Sequence, residues 1–148
     1  MMQRVLIWLG GVALLAATAV DTFSVIGRHV GRPFTGSIEL MQPFVLVSGA
    51  VGIVVATLFS SHARVKLLID RLGPEMRSVA DRFSDLLSFL FFLALLAGSV
   101  WIAVDLWHGY ERSEVLGVPW RWMRLFAITC LLMAALVALA RLFGRRAR

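Results

Sequence analysis

Cysteine, histidine and charged residues are scarce in this chain, and each scarcity removes a class of function. The single cysteine, Cys130, cannot close an internal disulfide and has no ligand partners at metal-site spacing, so it reads as a packing residue. Three histidines form no HExxH pattern. No glycine-rich phosphate loop is present, and no Ser-His-Asp set could assemble at one depth. An enzyme is not expected, nor a bound metal or other cofactor. With only 16% of its residues charged, the chain also lacks the polar surface a soluble domain of this size needs.

What is present is apolar. Hydrophobic residues make up 59% of the 148 and the mean hydropathy is +0.83. Charge-free runs cover Val5–Val20, Leu40–Phe59, Leu86–Val104 and Leu125–Ala140. A spanning helix needs about 17–25 mostly apolar residues. The middle two runs qualify outright, and the outer two qualify once Asp21, Arg121 and Arg124 are admitted at their ends. The expected fold is an all-α membrane protein: one domain over residues 1–148, with transmembrane helices at about 4–26, 38–59, 84–107 and 119–143.

The net charge of +6 does not imply nucleic acid, because the cations sit between the spans and report orientation instead. With a cytoplasmic N-terminus, ten fall inside (Arg4, Arg64, Lys66, Arg71, Arg77, Arg82, Arg141, Arg145, Arg146, Arg148) and five outside (Arg28, Arg32, Arg112, Arg121, Arg124). Both termini are expected in the cytoplasm. The start offers Ala17-Thr18-Ala19 as a signal-peptide cleavage site. Apolar character resumes at Phe23, Val25 and Ile26, however, so an uncleaved span ending before Gly27 is expected.

Between the second and third spans, Val65, Leu68, Ile69 and Leu72 recur at helical spacing beside Lys66 and Arg71. This predicts a short amphipathic helix on the membrane surface. Gly73 stops it and Pro74 opens the next helix, in which Met76, Val79, Ala80, Phe83, Leu87 and Leu90 share one stripe and Glu75, Arg77, Asp81 and Asp85 fall elsewhere. Trp101, Trp107, Tyr110, Trp120 and Trp122 bracket the second outer segment as half of an aromatic belt. In helix two, Ser48, Gly52 and Ala56, joined by Gly49, form a small-residue face of the kind that lets helix backbones approach closely in lipid. That face packs either within the subunit or on a partner helix.

A haem anchor needs imidazoles facing each other inside the bilayer, but His29 and His108 fall at the outer boundary and His62 at the inner one. A self-sufficient proton-coupled exporter needs an acid deep in a span. Asp21 and Asp105 lie near the outer ends and suit interface roles, or pairing with Arg28 and Arg124. The stretch from Gly31 to Phe44, GRPFTGSIELMQPF, reads as a turn between antiparallel helices with Ser37 as the N-cap of helix two. Glu39 falls in its first turn, where the helix dipole favours negative charge. Pro43 has no amide hydrogen to give the Glu39 carbonyl. Either helix two starts at Met41, or Glu39 offers a polar docking point to another protein, to Arg28 or to Arg32.

Arg28, Gly31-Arg32-Pro33, Ser37-Ile38-Glu39-Leu40, a glycine-containing apolar span, His62 and Val65 before Leu67-Leu68, and then Leu116-Gly117-Val118-Pro119-Trp120, occur in an order that resembles the small membrane subunit of tripartite ATP-independent periplasmic (TRAP) transporters, the DctQ-like family. The resemblance runs from about Val5 to Phe143. It implies a multi-pass protein of the bacterial or archaeal inner membrane that binds a large multi-span, DctM-like subunit carrying the substrate and sodium sites. It also implies a DctP-like periplasmic solute-binding protein that delivers an organic acid. The small subunit would brace the large one and help dock the binding protein. Arg28, Glu39, His62 and Trp120 are then expected at or near the large-subunit interface, or as residues that hold the helix ends in shape. For Trp120 membrane anchoring is the competing role, and for His62 a helix cap.

Overall fold

The computed structural model describes residues 2–59, 74–109 and 111–143. His62, Tyr110 and the segment expected to form the surface helix lie outside them. The described residues form four helices: α1 (Met2–His29), α2 (Ser37–Leu58), α3 (Pro74–Asp105) and α4 (Trp120–Phe143). Each contains a stretch long and apolar enough to cross a membrane. The 32 residues of α3 extend about 48 Å at about 1.5 Å per residue, well beyond a hydrocarbon core of about 30 Å. Its membrane-compatible part begins at Val79.

Helix one does not end before Gly27. It continues to His29, because a glycine costs a helix only about 1 kcal/mol and the chain reverses later, at Gly31 with φ 75°. Gly27 serves the reversal differently. The returning Arg32 amide donates to the Gly27 carbonyl at 2.8 Å, and a Cβ on Gly27 would lie 2.6 Å from the Arg32 oxygen. The N-cap of α2 is Gly36 at φ 89°, not Ser37. Ser37 is the first helical residue, and its hydroxyl meets that of Ser24 in α1 at 2.8 Å. Pro43 therefore lies inside α2 rather than at its start.

In space the helices follow the order α1, α2, α4, α3. α1 packs on α2, α2 on α4 and α4 on α3, and no other pair packs to a comparable extent. This is an open row rather than a closed bundle. Only 11–22% of each spanning stretch is buried, so there is no enclosed interior among the described residues.

Small residues make the contacts. Ala134, Ala135 and Ala138 of α4 form a flat surface against which Phe92 of α3 packs, flanked by Phe89 and Leu131. On the other side Ala50 and Val54 of α2 meet Cys130, with Leu6, Leu58 and Phe126 around them. Gly10 of α1 sits over Val51 and the Ser48 carbonyl. Lipid is as apolar as leucine, so close dispersion contact rather than water exclusion holds such helices together. At the end carrying the termini, the Arg141 guanidinium donates to the Leu58 carbonyl at 2.9 Å, satisfying one of the orphan carbonyls at the C-terminus of α2.

The facing of α3 is that expected of a helix in lipid. Its apolar stripe is turned outward, with Met76, Val79, Phe83, Leu87 and Leu90 all exposed, while Asp85 is buried. Ser84 and Ser88 are half-buried on the same side as Asp85, and the Ser88 hydroxyl donates back to the Ser84 carbonyl at 2.8 Å. Ser84, Asp85 and Ser88 thus face protein.

Candidate functional site: a carboxylate latch at the loop end

One end of the row carries the loops 30–36 and 106–119. Residues 111–120 form a small closed loop there. Arg112 and Pro119 pair as an isolated antiparallel bridge, and the Ser113 amide donates to the Val118 carbonyl at 3.0 Å. The Val118 amide returns a bond to the Ser113 hydroxyl at 3.0 Å. Gly117, at φ 66°, completes the turn in the left-handed region that side chains disfavour. Ser113 is buried at its centre. The Arg124 guanidinium in the second turn of α4 clamps the loop from below through Glu111, at 2.8 Å.

The tip of this loop rests on the start of α2. The Val115 amide donates to both Glu39 carboxylate oxygens, at 3.0 and 3.1 Å, and the Leu116 amide to one of them at 2.8 Å. A carboxylate receiving successive backbone amides is a charge-assisted arrangement, stronger than a neutral pair. Gly36 makes room for it: a Cβ there would fall 3.0 Å from Val115 Cγ1 and 3.5 Å from Leu116. Two segments about 76 residues apart are thereby latched, tying α2 directly to the lead-in of α4. Glu39 makes no ion pair with Arg28 or Arg32 among the described residues; its acceptor capacity goes to the loop. Arg124 likewise pairs with Glu111 rather than Asp105.

The other sequence-predicted residues are more dispersed. Arg28 is exposed in the last turn of α1. Trp120 opens α4, half-buried, and borders a groove of about 510 Å³ between α2 and α4 that also touches Met41, Val45 and Leu46. Ser48 contributes its carbonyl to the approach of Gly10, whereas positions 49 and 52 face open space: a Cβ on either glycine meets nothing within 4 Å. Ala56 is half-buried. The α2 residues buried within the chain are Ala50, Val51, Val54 and Thr57. Inspection of the sequence missed Ser24, Glu111 and Ser113, and missed the amides of Val115 and Leu116. Backbone donors leave no residue-type signal.

Chemically, the latch holds a negative charge still and offers no nucleophile. Among the described residues, no group of three histidine, cysteine or acidic side chains could hold a metal ion. The arrangement fixes a shape. No curated protein matches the chain. A family model described as tripartite ATP-independent periplasmic transporters, DctQ component, matches residues 17–148, a transporter-component family that works with DctM and DctP partners. The matched region includes both latched segments and all of α2, α3 and α4, and the chain belongs to this family of small TRAP-transporter permease subunits.

Proposed function

We propose that this chain is the non-catalytic brace of its transporter: a small subunit that holds a large DctM-like subunit in the bacterial cytoplasmic membrane during sodium-coupled uptake of an organic acid. Both termini lie in the cytoplasm and the latch faces the periplasm, on the ten-to-five distribution of cations. The observation that carries the reading is the open row. Among the described residues, helices in the order α1, α2, α4, α3 enclose no path for a solute and present broad uncovered faces to a neighbour.

The large subunit docks on the uncovered face of α2. Ile38, Val45 and Ile53 are exposed there, and between them Gly49 and Gly52 leave room for a second backbone. Trp120 borders the adjoining groove. Glu39 holds the loop end in the shape the neighbour meets, Arg28, exposed in the last turn of α1, meets the neighbour directly, and His62, which follows α2 in the sequence, is assigned to the same contact. The loop end also receives the DctP-like binding protein. A self-sufficient proton-coupled transporter is the weaker reading: Asp21 is exposed in α1 and Asp105 is exposed at the end of α3, so neither lines a shielded route.

Co-purification tests the proposal. Gly49→Leu/Gly52→Leu fills open space, so the isolated chain should fold normally while recovery of the large subunit falls at least about tenfold, since close helix contact is lost. Undiminished recovery with a folded variant contradicts this interface.

A further inference from the structure

A cleft of about 390 Å³ opens at the joint between α3 and α4, its lining including the apolar Leu106, Trp107 and Pro119 and the cationic Arg112, Arg121 and Arg124. His108 and Glu111 also border it. Glu111 is the one carboxylate among the lining residues, and its charge is matched by Arg124 at 2.8 Å. Neither Arg112 nor Arg121 has a carboxylate partner among the described residues. Arg121 instead lies over the Trp122 ring, 5.8 Å from its centroid. The first turn of α4 supplies no acidic residue to offset it. Two guanidiniums therefore share one concave site without compensation, an arrangement that favours an anion with several oxygens in a bidentate geometry.

The depth of the cleft narrows the choice of anion. It begins where α3 ends, at Leu106, and closes where α4 starts. Trp101, Trp107 and Trp122 around this level are all exposed, as aromatic side chains are at the boundary between hydrocarbon and headgroups. Phosphates of membrane lipids lie at that level, beside an apolar wall that accepts the start of an acyl chain.

We infer that this cleft is a phosphate-binding site whose ligand is the headgroup of an anionic phospholipid, held by Arg112 and Arg121. The bound lipid joins the loop end of α3 and α4 to the bilayer surface, at the edge of the row of described helices. This assignment is independent of whether the α2 face binds the large subunit.

The test uses the full chain, purified, delipidated and returned to phosphatidylcholine nanodiscs, with bound lipid counted by native mass spectrometry. Phosphatidylglycerol should be retained in preference to phosphatidylcholine. Arg112→Gln/Arg121→Gln should reduce that preference about tenfold, given the contribution of each cation near an anionic surface. Arg112→Lys/Arg121→Lys, which keeps the charge but not the planar fork, should retain only part of it, and Arg28→Gln, at the same end but outside the cleft, should leave it unchanged. Inorganic phosphate is titrated in parallel. Phosphate binding that depends on Arg112 and Arg121, without any phosphatidylglycerol preference, would support the phosphate site with a soluble ligand as its source. Equal retention of the two lipids together with no phosphate binding would overturn the site, and so would an equal loss in Arg28→Gln. If the double glutamine variant fails to fold, the single variants Arg112→Gln and Arg121→Gln carry the same comparison, each losing part of the preference.

Discussion

At the scale of single residues, the structure depends on a few positions where one atom more or less is decisive. Glu39 is the clearest. Its carboxylate takes amides from Val115 and Leu116, which glutamine can reproduce only in part because its amide nitrogen donates rather than accepts. Glu39→Gln should lower the melting temperature in detergent, and should do so more than Glu114→Gln on the neighbouring loop surface; equal effects would remove the latch from the account. Glycines give a graded second test. Gly27→Ala sets a Cβ against the Arg32 carbonyl and Gly36→Ala sets one against Val115 at a positive φ. Each should cost roughly 1–3 kcal/mol in equilibrium unfolding. Gly117→Ala meets open space and carries only the left-handed backbone penalty of about 1–2 kcal/mol. If all three cost the same, steric crowding at the α1–α2 turn and at the latch is not what selects glycine there.

At the scale of elements, the packing surfaces are made by alanines that accept a larger neighbour. Phe92 against Ala134, Ala135 and Ala138 is a buried contact joining α3 to α4. Phe92→Ala should destabilise the chain by about 2 kcal/mol, less than the 3–5 of a water-soluble core, because lipid supplies no transfer term for the exposed methylenes. Reversible unfolding in mixed micelles measures it. The existence of the four helices was legible in the apolar runs and in Pro74 and Pro119, because hydrocarbon leaves a long apolar stretch few alternatives to helix. Facing was not legible. The stripe from Met76 to Leu90 would be a buried face in water, yet in lipid it is the exposed one, and Asp85 goes inward. Glu39 and the Leu116-Gly117-Val118-Pro119-Trp120 segment each stood out in the sequence. Their meeting was invisible, because the donors are backbone amides and the cap of α2 is a glycine in a left-handed conformation rather than Ser37.

At the scale of the whole molecule, the order α1, α2, α4, α3 matters more than any one contact. A closed bundle of four could surround a solute, whereas the described helices form an open row with at most 22% of any spanning stretch buried, which suits the proposed covering role. The latch suits that role, because it joins the second and fourth helices at the loop end without consuming the face of α2 that carries Gly49 and Gly52. Sodium-driven uptake in proteoliposomes containing the large subunit and its binding protein, with and without this chain, and in proteoliposomes containing this chain alone, tests the brace most directly. Full uptake is expected only when both membrane subunits are present, and none from this chain by itself. Solute transport by the isolated chain, or uptake by the large subunit that is indifferent to its removal, would contradict it.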